Sequence, residues 1–93
     1  MNVKRELYNG VLAVVLDTFG IEEAEMFSSN REVCIEARMA LIRKLSQYMT
    51  DSDIAALTPL RRCSICAIKN RYSDRNAPWS VRRCIEILND TIK

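Results

Sequence analysis

One proline set between two apolar stripes constrains this chain more than any other feature. In residues 50–72, TDSDIAALTPLRRCSICAIKNRY, apolar side chains fall at Ile54, Leu57, Leu60, Ile65 and Ile68, a spacing that suits helices. Pro59 breaks the run. It lacks a backbone N–H and disfavours an α conformation at Thr58, so a first helix stops there and a second opens, with Thr58 as its cap and Arg61-Arg62 at its start. Small Ala55 and Ala56 let two helices cross closely. The pattern predicts a helix-turn-helix over residues 51–72.

The other segments add helices and no sheet. Two glycines, two prolines and few alternating β-branched runs leave little for hairpins, so the expected fold is all-α, a compact bundle of five to six helices in one domain spanning residues 1–93. At 48% apolar the chain is too hydrophobic to stay disordered, yet at 93 residues its core is small. A first helix is expected over residues 3–18, with Val3, Leu7, Val11, Val14 and Thr18 on one stripe and Tyr8, Leu12, Val15 and Phe19 beside it. Gly10 inside it points to close packing against a neighbour, and Phe19-Gly20 supplies the stop. Residues 21–27 make one or two acidic helical turns.

Two capping patterns follow. Ser29-Asn30-Arg31-Glu32 reads as a capping box that opens a long helix over residues 30–47, with Val33, Ala37, Ala40, Leu41 and Leu45 facing the core and Cys34 and Ile42 alongside. Thr50-Asp51-Ser52-Asp53 is a second box, opening the helix-turn-helix. Residues 73–78, SDRNAP, form the clearest loop. Pro78 then starts a last helix, with Trp79, Ile85, Leu88 and Ile92 on the buried side and Arg82-Arg83 outside.

Charge is divided at the turn. Residues 1–60 carry six Lys and Arg against nine Asp and Glu, a net of −3, whereas residues 61–93 carry eight against three, a net of +5. A polyanion such as nucleic acid is drawn to one side of such a molecule. The chain has no run of about 18 apolar residues for a transmembrane helix, and its start, MNVKREL, lacks the apolar stretch of a signal peptide. The expected location is the cytoplasm, with no membrane partner.

Residues 19–72 carry a resemblance. Met26-Phe27-Ser28-Ser29-Asn30-Arg31 has an apolar-Ser segment running into a basic loop, Ala37-Arg38-Met39-Ala40-Leu41 opens a long helix with Ala-Arg, and Ile54-Ala55 precedes Arg61 and Ser64 at a set distance. This resembles the C-terminal duplex-DNA-binding domain of DnaA, the bacterial chromosomal replication initiator, a helix-turn-helix domain of the Trp-repressor-like kind. Arg61 and Ser64 fall on the Arg and Ser of that family's Gly-Arg-Asp-His-Ser-Thr-Val signature. Arg62, Cys63, Ile65 and Cys66 replace its Asp, His, Thr and Val, and Pro59 and Leu60 stand where glycines precede it. The family's upstream ATPase module is not in this sequence, so initiator activity is not expected.

The DNA reading follows residue by residue. With Leu60, Ile65, Ile68 and Tyr72 towards the core, Arg61, Arg62, Cys63, Ser64, Ala67, Asn70 and Arg71 face solvent or its edge. Arg61 and Arg62 suit phosphate or guanine, Ser64 a base or a phosphate, and Asn70 an adenine. The resemblance further implies that Arg31 reaches a minor groove from its loop and that Arg38 clamps a phosphate. The candidate DNA-binding residues are therefore Arg31, Arg38, Arg61, Arg62, Cys63, Ser64, Asn70 and Arg71, with double-stranded DNA as partner. The alternative for each arginine is an ordinary solvated side chain.

Cysteine chemistry is read as structural. Cys63 and Cys66 make one Cys-x-x-Cys, but a zinc site wants two such pairs, and there is no histidine. Cys34, Cys63, Cys66 and Cys84 all fall on or near apolar stripes, so small buried hydrophobes are expected, with no metal and no cofactor. Glu22, Glu23 and Glu25 form an acidic cluster without a catalytic partner, and no enzyme is expected. Two functions remain open: a DNA-binding accessory or regulatory protein of a mobile element or phage, or a protein-interaction module on the same scaffold. The Tyr8/Phe19 side of the first helix, or the last helix with Trp79, either offers a homodimer surface or packs within the chain.

Overall fold

Helical periodicity carries through every described segment. The structure, a computed structural model, describes residues 3–71 and 78–91. These form α1 (Val3–Phe19), α2 (Glu23–Ser28), α3 (Glu32–Leu45), α4 (Asp51–Leu57), α5 (Arg62–Arg71) and α6 (Trp79–Thr91), with no strand among the described residues. The expected all-α bundle is the one that forms.

α3 is the spine. Its Ala37, Ala40, Leu41, Ile42 and Leu45 are fully buried, which requires neighbours on several sides, and α1, α2, α5 and α6 all pack on it. α1 contributes Tyr8, Val11, Leu12 and Val15, one helical stripe, and α6 contributes Val81, Cys84 and Leu88. Met26, Ile54 and Ile65 are the fully buried residues of α2, α4 and α5. Burying a side chain of this size contributes about 1.5–3 kcal/mol. That shared cluster holds helices as short as α2 and α4, which would not persist alone.

Helix ends fall partly where the caps predict. Gly20 takes φ 66°, the left-handed conformation, and the N–H groups of Gly20 and Ile21 donate to the Leu16 carbonyl at 2.8 and 3.2 Å. Gly10 lies within α1 and is exposed. The Thr50 box is present: Thr50 Oγ1 accepts from the Asp53 N–H at 3.3 Å and Asp53 Oδ2 accepts from the Thr50 N–H at 3.2 Å.

The Ser29 box does not form. Ser29 closes α2, its N–H donating to the Glu25 carbonyl at 2.9 Å, and its Oγ accepts from the Arg31 N–H at 3.2 Å. α3 therefore starts at Glu32, with Arg31 as a cap that lends no side-chain bond. At the other end α3 stops at Leu45 rather than residue 47, because the chain tightens: the Tyr48 N–H reaches the Leu45 carbonyl at 2.9 Å.

Thr58 caps the end of α4 and not the start of α5. Its N–H and its Oγ1 hydroxyl donate to the Ile54 carbonyl at 3.0 and 2.9 Å, and Oγ1 accepts from the Leu60 N–H at 3.3 Å. Pro59 forces the extended backbone found at Thr58 but lies ahead of the second helix. α5 begins at Arg62, the Arg61 carbonyl accepting from the Ile65 N–H at 3.1 Å.

α6 is rotated from the expected stripe. Trp79 is 76% exposed, because it sits about 200° of helical turn from Val81, which leads the buried side. Pro78 is the cap, its carbonyl accepting from the Arg82 N–H at 3.1 Å. Arg82 and Arg83 point outward as expected. Tyr72, most of the expected 73–78 loop, and Ile92 lie outside the described residues.

Candidate functional site

The start of α5 gathers exposed polar groups because its core side is narrow. Ile65 is buried and Leu60 and Ile68 are half-buried against the core. The opposite side is left to Arg61, Arg62, Cys63, Cys66, Ala67 and Asn70, all exposed, with Ser64 half-buried at the edge. The expected sidedness is thus present. Arg71 is the last residue of α5, and its side chain lies outside what is described.

Partners separate these cations from others. Lys4 pairs with Asp53 at 2.9 Å, Lys69 with Asp51 at 2.9 Å, Arg83 with Glu86 at 3.4 Å, and Arg31 with Glu25. Arg61 and Arg62 make no ion pair or hydrogen bond with any described residue. The Lys69–Asp51 pair also links the far half of α5 to the first residue of α4.

Arg31 and Arg38 have local uses. Arg31, exposed beside α3, is held by the Glu25 carboxylate of α2. Arg38 is half-buried; its Nη2 donates to the Ser29 carbonyl at 3.0 Å and its Nε to the Cys34 carbonyl at 3.4 Å, which fastens the α2–α3 connection. Neither is brought into a described contact with Arg61 or Arg62.

The cysteines divide in two. Cys34 and Cys84 are buried, as the apolar stripes imply, and burial pushes the Cys84 thiol up, opposed by a hydrogen bond with Thr18. Cys63 and Cys66 are exposed, which corrects the expectation of four buried thiols. Cys66 follows Ile65 and Cys63 precedes it by two residues, so at roughly 100° per residue they lie about 100° and about 200° off its face. The Asn70 Nδ2 donates to Cys66 Sγ at 3.4 Å on the same exposed side. Among the described residues no three of His, Cys, Asp and Glu are grouped to hold a metal ion.

A separate open groove of about 300 Å³ lies at the other end of α5, lined by Arg43, Ser46, Gln47, Lys69 and Ile85. Beside it Lys44 is buried at 2% exposure, with Nζ donating to Asn89 Oδ1 at 2.6 Å. Its position next to a core-facing Leu45 is the one signal of this in the sequence, masked by its charge. No helix among the described residues is long and apolar enough to cross a membrane. No protein-family model, curated protein or solved structure matches the chain.

Proposed function

We propose that this chain binds double-stranded DNA in the cytoplasm, with α4, the turn at residues 58–61 and α5 acting as a helix-turn-helix of the DnaA-like kind and α5 lying in the major groove. One observation carries the reading: Arg61 and Arg62 stand exposed and without a described partner at the N-terminal end of α5, where base edges and phosphates are met. The +5 net charge of residues 61–93 supports it, since that part of the chain draws a polyanion. Ser64 at the edge and Asn70 further along supply neutral contacts. Arg31 must release Glu25 to reach a groove, and Arg38 can offer a phosphate only the N–H groups its backbone bonds leave over. The role is accessory or regulatory and not catalytic.

The test is binding of a labelled mixed-sequence duplex across a salt series. Affinity is expected to fall steeply with salt, and Arg61→Ala/Arg62→Ala to reduce the log–log slope by roughly 0.9 for each phosphate that is no longer neutralised. No binding at low salt overturns the reading. In that event the second function leads, a protein-interaction module, which the exposure of Trp79 at 76% and Val3 at 71% on the last and first helices favours.

A further inference from the structure

The four thiols are unevenly placed, and the two on the surface are three residues apart on one helix. Helix rise and radius put the Cα atoms of Cys63 and Cys66 about 5 Å apart, inside the roughly 4.4–6.8 Å that a disulfide spans. Their Cβ atoms, about 5–6 Å apart in a regular helix, must approach to roughly 4 Å. The bond therefore closes only if the start of α5 yields. That segment is the part of the helix best able to yield, since the N–H groups ahead of Ile65 have no partner within the helix and the first backbone bond is Ile65 N–H to the Arg61 carbonyl.

We propose that Cys63 and Cys66 are a redox pair that closes reversibly into a disulfide and, by remodelling the first turn of α5, moves Arg61 and Arg62 and switches DNA contact. The switching half of the statement rests on the DNA reading above. The oxidant is a small-molecule disulfide such as oxidised glutathione. One cysteine thiolate attacks its S–S bond and releases a first glutathione; the second cysteine displaces the other glutathione from the mixed disulfide. Two protein thiols are oxidised, one glutathione disulfide is reduced, and the two thiol protons leave on two glutathione thiols. The exposed Arg61 and Arg62 favour approach of that anionic oxidant. A strained, exposed disulfide is easily reduced again, which suits a switch better than a structural bond. Burial of Cys34 and Cys84 keeps them out of the exchange.

The test equilibrates the full chain with glutathione redox buffers and reads two things separately, bond formation by mass and peptide mapping, and affinity for a mixed-sequence duplex. The expected result is a monomer carrying a Cys63–Cys66 bond, reversed by dithiothreitol, with duplex affinity at least about tenfold lower. Cys63→Ser/Cys66→Ser, surface changes that leave the core intact, should bind duplex equally in both buffers. Thiols that stay reduced at every ratio, single glutathione adducts or links between chains overturn the pair. A bond that forms without changing duplex affinity overturns the switch. A bond that forms in a chain binding no duplex in either state supports the redox pair and removes the DNA reading instead.

Discussion

Lys4 and Asp53 join the first turns of α1 and α4: Lys4 Nζ donates at 2.9 Å to Asp53 Oδ2, the same oxygen that accepts from the Thr50 N–H in the capping box of α4. The Lys4 hydrogen bond, followed by the bonds from Thr50, holds the Asp53 carboxyl below its ordinary value. A depressed folded pKa gives stability that is present above the unfolded value and lost as pH falls through the folded one. The window therefore lies below about pH 4. Acid titration of thermal stability should show wild type losing a contribution there that Asp53→Asn lacks. Thr50→Ala should cost about 1 kcal/mol near neutrality, measured by denaturant unfolding.

Tyr8 offers the opposite case. It is 4% exposed, and its hydroxyl is the one buried side-chain polar atom among the described residues without a hydrogen-bond partner. Burial, reinforced by Glu23 and opposed by Arg5, raises its pKa. Folding stability should decline as the solution passes above about pH 10 and the buried phenol is forced to ionise. Tyr8→Phe removes the orphaned hydroxyl and should leave stability unchanged or raise it by up to about 1 kcal/mol in urea unfolding. A loss of that size would mean the hydroxyl is satisfied.

Lys44 is a charge placed among neutral groups. Its Nζ donates to Asn89 at 2.6 Å and Gln47 at 3.4 Å, and lies 5.3 Å from the centre of the Tyr48 ring. Its aliphatic stem fills core volume between α3 and α6. Lys44→Met keeps the stem and should change stability by less than about 1.5 kcal/mol. Lys44→Ala empties the site and should cost about 2 kcal/mol or more. Equal losses in both variants would place the energy in the bond to Asn89.

Local signals are legible in the sequence and competitive ones are not. The Thr50 box involves only residues 50–53, so four letters suffice to specify it. Ser29-Asn30-Arg31-Glu32 has the same arrangement of hydroxyl and acid, but α2 recruits Ser29 as its terminus, and that depends on where α2 ends. Thr58 is similar: its hydroxyl has the Ile54 carbonyl within reach and turns back instead of forward. Trp79 looks like core by size, yet Val81, Cys84 and Leu88 set the angle of α6 and leave it outside. At the candidate site, the exposure of Arg61 and Arg62 is readable from the spacing of Ile65 and Ile68. The capture of Arg31 by Glu25 and of Arg38 by the Ser29 carbonyl is not, because both depend on how α2 lies against α3. The solvent side of Cys63 follows from the Ile65 and Ile68 spacing, whereas a stripe-based reading misplaces Cys66 as buried, because adjacency to Ile65 in sequence is not angular adjacency.

The narrow seat of α5 has a consequence for motion. Ile65 is its one fully buried described side chain, whereas α3 has many. Elements held by so little apolar contact open locally at low free-energy cost. In amide hydrogen exchange, residues 66–71 should lose protection well before the interior of α3. Under the proposed DNA reading, a helix held this lightly can adjust its tilt in the groove, and bound DNA should slow the exchange of α5 more than that of α3.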